Sequence, residues 1–126
     1  MQESERRARP AFLKGFSMNT TQKGRLYEEK ALSYLIDKGF SLVARNFHTR
    51  YGELDLIMQK DGILHFVEVK GGVSMDPLLH ITSSKLEKII KSIDVFLAKQ
   101  SHSGGFCVDA LSIMGDEILF IENITI

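Results

Sequence analysis

The chain has 126 residues, 44% of them hydrophobic and 25% charged, and its 16 Lys and Arg are balanced by 16 Asp and Glu. This is enough for one domain with a real core, and a formal charge of zero excludes a chain that coats nucleic acid or anionic membrane through its overall field, though not an enzyme with a local basic rim. The lone Cys107 excludes an intrachain disulfide framework and a cysteine-rich zinc site, and no stretch approaches the ~20 apolar residues of a membrane span.

Residues 1–21 are polar or mixed, with Arg6, Arg7 and Arg9 ahead of Pro10 and no secretory apolar core. They are expected to form a flexible N-terminal extension to a single domain over 22–126, and the expected location is cytoplasmic. From Gln22 to Lys38 the pattern is helical, with Thr20 or Thr21 available as N-cap and Gly39 as terminator. Projection at ~100° per residue gathers Tyr27, Ala31, Leu32, Tyr34, Leu35 and Ile36 on one face, with Glu28 near its centre. A carboxylate there is costly to bury unless a helix-edge cation pairs with it or a metal binds it. Ser41 to Phe47 reads as a strand whose basic end, Arg45, His48 and Arg50, is either a phosphate-facing rim or a solvated loop.

Residues 53–58 and 63–69 are rich in Leu, Ile, Val and Phe and are separated by Asp61-Gly62, which suits a two-residue turn with positive φ. With that turn Lys60 pairs with Ile63, and counting outward sets Asp55 opposite Glu68 and Glu53 opposite Lys70 on one face. A three-residue loop would send the carboxylates to different sides of the sheet. Carboxylates crowded in this way either raise a pKa or hold a hard cation such as Mg²⁺ or Mn²⁺, and Lys70, two residues after Glu68, would reach a nucleophilic water or a phosphate. An acidic residue two positions before a lysine is common on solvated strands, so the functional signal lies in the whole constellation.

Gly71, Gly72 and Asp76-Pro77 mark an irregular connection of the kind that moves beside active sites. A second helix is expected from about Lys85 to Lys99, with Ser84 and Glu87 fitting a capping box. Leu86, Ile89, Ile90, Ile93, Phe96 and Leu97 form its buried stripe and Lys85 lies at the flank. Phe106 to Ile113 and Ile118 to Ile121 make a closing hairpin across Gly115-Asp116. Within it Asp109 reads as a strand-face or edge polar group and Cys107 as core packing. His65, His80 and His102 have no metal-ligand spacing. The order α-β-β-β-α-β-β predicts an α/β fold, a central mixed sheet flanked by helices.

Gly24, Glu28 and Ala31 on the first helix, Ala44-Arg45-Asn46, Gly52-Glu53-Leu54-Asp55-Leu56-Ile57 and Phe66-Val67-Glu68-Val69-Lys70 together resemble the YraN-like bacterial family. That family is similar to archaeal Holliday junction resolvases and belongs with the PD-(D/E)xK restriction-endonuclease-like nucleases. The likeness spans 22 to about 113. It implies that Asp55, Glu68, the Val69 carbonyl and Glu28 hold Mg²⁺ or Mn²⁺, that Lys70 orients the attacking water or offsets developing charge, and that Glu53, Lys85 and Asp109 are supporting positions. The implied activity is metal-dependent endonucleolytic hydrolysis of DNA, branched or otherwise structured, for which a symmetric homodimer would suit a two-strand substrate. Tyr27 departs from the family pattern just before the helix glutamate Glu28, where a small residue is usual, and Gly71-Gly72 departs from it just after Lys70, where a polar residue and then an arginine are usual. The alternative is a non-cleaving module on the same fold that binds nucleic acid or a protein partner.

Overall fold

A computed structural model of the protein describes residues 20–72 and 76–124. The expected flexible extension, but for its last two residues, and the middle of the connection after Lys70 lie outside the described residues. The elements run α1 (Thr20–Asp37), β1 (Ser41–Thr49), β2 (Gly52–Lys60), β3 (Ile63–Gly71), a short 3-10 turn (Pro77–His80), α2 (Ser83–Lys99), β4 (Phe106–Met114) and β5 (Glu117–Ile121). The strands form one sheet in the order β1-β2-β3-β4-β5. All neighbours are antiparallel except β3 and β4, which α2 connects as a parallel pair. This is the mixed sheet flanked by helices, in the order expected from the sequence. No helix of the described residues is long and apolar enough to cross a membrane.

The turn between β2 and β3 has only Asp61 and Gly62 in it, at φ 52° and 79°. Two successive positive values match the right-handed twist of the strands, and Asp-Gly tolerates them where most pairs do not. Lys60 consequently pairs with Ile63, and the ladder continues to Leu56 opposite Val67. Alternation then divides the core. Leu56, Met58, Val67, Leu111 and Ile113 pack with Ala31 and Leu35 of α1, whereas Ile57, Leu64, Phe66 and Val108 pack with Ile89, Ile93 and Phe96 of α2.

Several boundaries and contacts differ from the sequence expectation. Helix α1 already includes both Thr20 and Thr21, which the sequence offered as its N-cap. Ile36, placed on the apolar face by projection, is half exposed, because the stripe in contact with the sheet centres on Ala31 and Leu35. Helix α2 starts at Ser83, and its N-cap is Thr82, whose hydroxyl accepts the Lys85 N–H at 3.1 Å. Ser84 therefore falls inside the helix and makes no capping box. The expected apolar stripe of α2 faces the sheet, joined by Ser92, whose buried hydroxyl bonds the Thr49 hydroxyl at 2.7 Å.

Candidate active site

Regularity fails at Asp55, and the failure builds the site. Leu54 packs toward α2 although Leu56, two residues on, packs toward α1, so β2 rotates about Asp55. Across the sheet Arg45 pairs with Leu56 and Phe47 with Leu54, which puts Asn46 opposite Asp55. Asn46 has φ 52°, a left-handed conformation that asparagine tolerates better than most side chains. On the other edge the ladder with β3 stops at Leu56–Val67. The Val69 N–H, which an unbroken ladder would aim at the Leu54 carbonyl, instead donates to Asp55 Oδ2 at 2.8 Å. The strands fork here, and groups from both faces of the sheet reach one place.

Glu68 lies on β3 beside that fork and is only 6% exposed. Its Oε2 is buried without a hydrogen-bond partner, and its Oε1 lies 3.8 Å from Lys85 Nζ in the first turn of α2. Burial, then the Asp55 charge, pushes the Glu68 carboxyl up to about 8, although Lys85 and the Asp55 N–H pull the other way. Burial likewise raises Asp55 to about 6; the Val69 N–H and Lys85 oppose the rise, whereas Glu28 and Glu53 add to it. Two neighbouring carboxylates thus resist ionising together, which is the electrostatic condition a divalent cation relieves. The orphaned Glu68 oxygen and the all-oxygen donor set fit a hard cation.

Glu28 comes from α1 and is partly buried. Asn46 Nδ2 donates to its Oε1 at 2.8 Å, so the carboxylate is hydrogen-bonded rather than bare on an apolar stripe. Among the described residues no helix-edge cation pairs with it; an amide from the distorted strand holds it within electrostatic reach of Asp55. Sequence reasoning assigned Asn46 no role, although an asparagine inside a strand pattern is the available signal.

The remaining candidates are less closely gathered. Lys70 is exposed on the Glu68 face of β3 and makes no ion pair among the described residues. Glu53 has His48 as partner, Nε2 to Oε2 at 3.4 Å, rather than Lys70. Arg45 Nη2 is bound to Glu29 Oε2 at 2.7 Å, which turns it toward α1. Arg50 donates to the Tyr51 hydroxyl and lies over its ring, 4.9 Å from the centroid. His48 is exposed, at 78% for its side chain.

The two departures from the family pattern explain each other. The Tyr27 ring of α1 lies directly over Gly71, where a Cβ would run into its atoms, and a Cβ on Gly72 would come within 2.6 Å of its hydroxyl. A large residue before Glu28 requires glycine at the end of β3.

A separate cluster lies on the α1 face of the sheet. Asp109, expected on a strand face or edge, is fully buried; it sits in β4 between two strands and accepts from His65 Nδ1 (2.7 Å), Cys107 Sγ (3.3 Å) and the Asn123 N–H (2.9 Å). Cys107 is core as expected, but it also faces His65 Nδ1 at 3.3 Å. Burial and the adjoining Asp109 push its thiol up to about 12, which excludes a nucleophilic thiolate in this setting. His65, without ligand spacing along the chain, is thereby joined to two potential ligands across the parallel pair.

A family model described as uncharacterised protein family UPF0102 matches residues 27–113, which include the fork, both carboxylates and both lysines. The chain belongs to UPF0102, the YraN-like family. Among its UPF0102 relatives, one from Wolinella succinogenes is 47% identical over 104 residues, covering 82% of this chain and 96% of its own. A protein from Helicobacter hepaticus is 43% identical over 109 residues, 86% of this chain and 99% of its own, and one from Helicobacter pylori strain P12 is 44% identical over 104 residues, covering 82% and 91%. Membership of UPF0102 carries no activity in its description, so the chemistry rests on the geometry of the fork.

Proposed function

We propose that this UPF0102 protein is a Mg²⁺- or Mn²⁺-dependent endonuclease that hydrolyses phosphodiester bonds in DNA, branched or otherwise structured, in the cytoplasm. The observation that carries the reading is the Glu68 Oε2 atom, buried without a partner beside the Asp55 carboxylate. Asp55 and Glu68 would hold the ion, with the Val69 carbonyl and Glu28 as further donors. Bound there, a divalent ion supplies Lewis acidity, making water a better nucleophile and offsetting charge on the phosphate. The chain's own contributions are distinct. The Val69 N–H fixes one Asp55 oxygen, and Asn46 fixes Glu28. Lys85, beside Glu68, and Lys70, exposed on the same strand face, supply positive charge where a phosphate would enter.

The test is cleavage of labelled linear, single-stranded, flapped and four-way DNA with Mg²⁺, Mn²⁺ or EDTA, parent beside Asp55→Asn and Glu68→Gln. Metal-dependent cutting by the parent, lost by at least about 100-fold in either folded variant, is expected. Equal cutting by parent and variants would remove the site from the reaction.

A second reading is a non-cleaving DNA-binding module. Tyr27 over Gly71-Gly72 favours it, since that pair leaves only glycine immediately after Lys70, where a polar or cationic side chain would otherwise meet substrate. In that case no substrate is cut with any ion, but DNA is retained at low salt and released steeply as salt rises.

A further inference from the structure

We propose that His65, Cys107 and Asp109 form a second metal site, for Zn²⁺ or a similar borderline ion, on the face of the sheet opposite the one that Glu68 occupies. The three ligand atoms all lie within 4.8 Å of one another. Strand β3 supplies His65, and adjacent parallel β4 supplies Cys107 and Asp109, which share a face because they are two residues apart. Phe40 meets the His65 ring edge-on at 4.9 Å between centroids and limits its rotation. The Asn123 N–H holds Asp109 Oδ1, leaving Oδ2 directed at His65.

The spacing suits the ion. Tetrahedral zinc, with sulfur at about 2.3 Å and nitrogen or oxygen at about 2.0 Å, sets its ligands roughly 3.3–3.5 Å apart. Cys107 Sγ is already 3.3 Å from His65 Nδ1, close to that spacing. The 2.7 Å between His65 Nδ1 and Asp109 Oδ2 must widen, by rotation of one side chain. The donor set of sulfur, nitrogen and one carboxylate is softer than the oxygens of Asp55 and Glu68, so the two sites select different ions.

Protons and charges balance. With the thiol protonated and the imidazole neutral, the cluster carries one negative charge, on a fully buried carboxylate. The entering ion displaces the thiol proton to solvent, and the imidazole proton moves from Nδ1 to Nε2. Thiolate and carboxylate then cancel the two positive charges, leaving the buried cluster neutral.

The test is a titration of the chelator-treated, reduced full chain with Co²⁺. The near-ultraviolet absorption of a thiolate–cobalt bond should saturate at one equivalent of absorbing ion, and Zn²⁺ but not Mg²⁺ should remove it. Cys107→Ser should abolish that absorption, and His65→Ala should weaken binding at least about tenfold. The double variant Asp55→Asn/Glu68→Gln should give the same thiolate–cobalt absorption as the parent. Zn²⁺ should also raise the melting temperature of the double variant, and adding Cys107→Ser to it should remove that rise. No thiolate–cobalt absorption in the parent would overturn the proposal, as would absorption that persists in His65→Ala with undiminished affinity or disappears in the double variant.

Discussion

Glu68 has one carboxylate oxygen near a lysine and the other facing no donor, and this asymmetry orders the roles of the two candidate lysines. Lys70 follows the family motif, yet Lys85 is the cation that actually approaches the carboxylates, at 3.8 Å from Glu68 and with a lowering effect on both Asp55 and Glu68. Its side chain is 46% exposed, so solvent screens the pair and its contribution to stability is small. On the proposed reading its effect falls on the reaction. Lys85→Ala is expected to lower metal-dependent cleavage by roughly 10- to 100-fold while shifting the melting temperature by no more than about 2 °C, with Lys85→Arg partly restoring activity. Lys70→Ala assayed beside it shows whether both are needed. If Lys85→Ala cuts at the parent rate, Lys85 only compensates the charge of Glu68.

At the scale of elements, α1 and β3 are matched through Tyr27 and Gly71. Gly71 does not need glycine for its backbone angles, since the obstacle is the tyrosine ring above it. Gly71→Ala is therefore expected to destabilise the chain by about 1–3 kcal/mol, and Tyr27→Ala should recover most of that loss when combined with it. Chemical denaturation of the four members of the cycle measures the coupling; strictly additive losses would mean that the two residues act independently. Much of this architecture was legible. Asp61-Gly62 announced a two-residue turn and the turn set the register, which holds as far as Leu56 and Val67 and breaks just before the expected pairing of Asp55 with Glu68. The N-cap was mislaid by two residues because Thr82, Ser83 and Ser84 are all capping types and only the fold selects among them. The rotation of β2 at Asp55 was not legible, because it needs Asn46 in a left-handed conformation on a neighbouring strand. Nor was the His65 cluster, whose members are 42 and 44 residues apart and meet only once α2 has returned the chain for parallel pairing.

The whole molecule carries a charge conflict into its core, and that should govern its stability as pH changes. Asp55 and Glu68 have folded-state values of about 6 and about 8, above their ordinary 3.8 and 4.5. Between those limits the native chain holds protons that the unfolded chain has released. The sign follows: stability from these groups is fully present below the ordinary values and is lost as pH rises through the folded ones. In EDTA the melting temperature should fall between about pH 5 and about pH 8.5, by on the order of 5–10 °C. Glu68→Gln keeps the shape and removes the larger titration, so its curve should be flatter and lie above that of the parent at the alkaline end. Mn²⁺ should restore the parent at high pH by binding the ionised pair, and restore Glu68→Gln much less, because one anionic donor is gone. Thermal denaturation across this range, with and without Mn²⁺, measures all three effects. A parent whose stability in EDTA rose over the same interval would show that its carboxylates ionise without conflict, and the electrostatic case for a cation at the fork would fail.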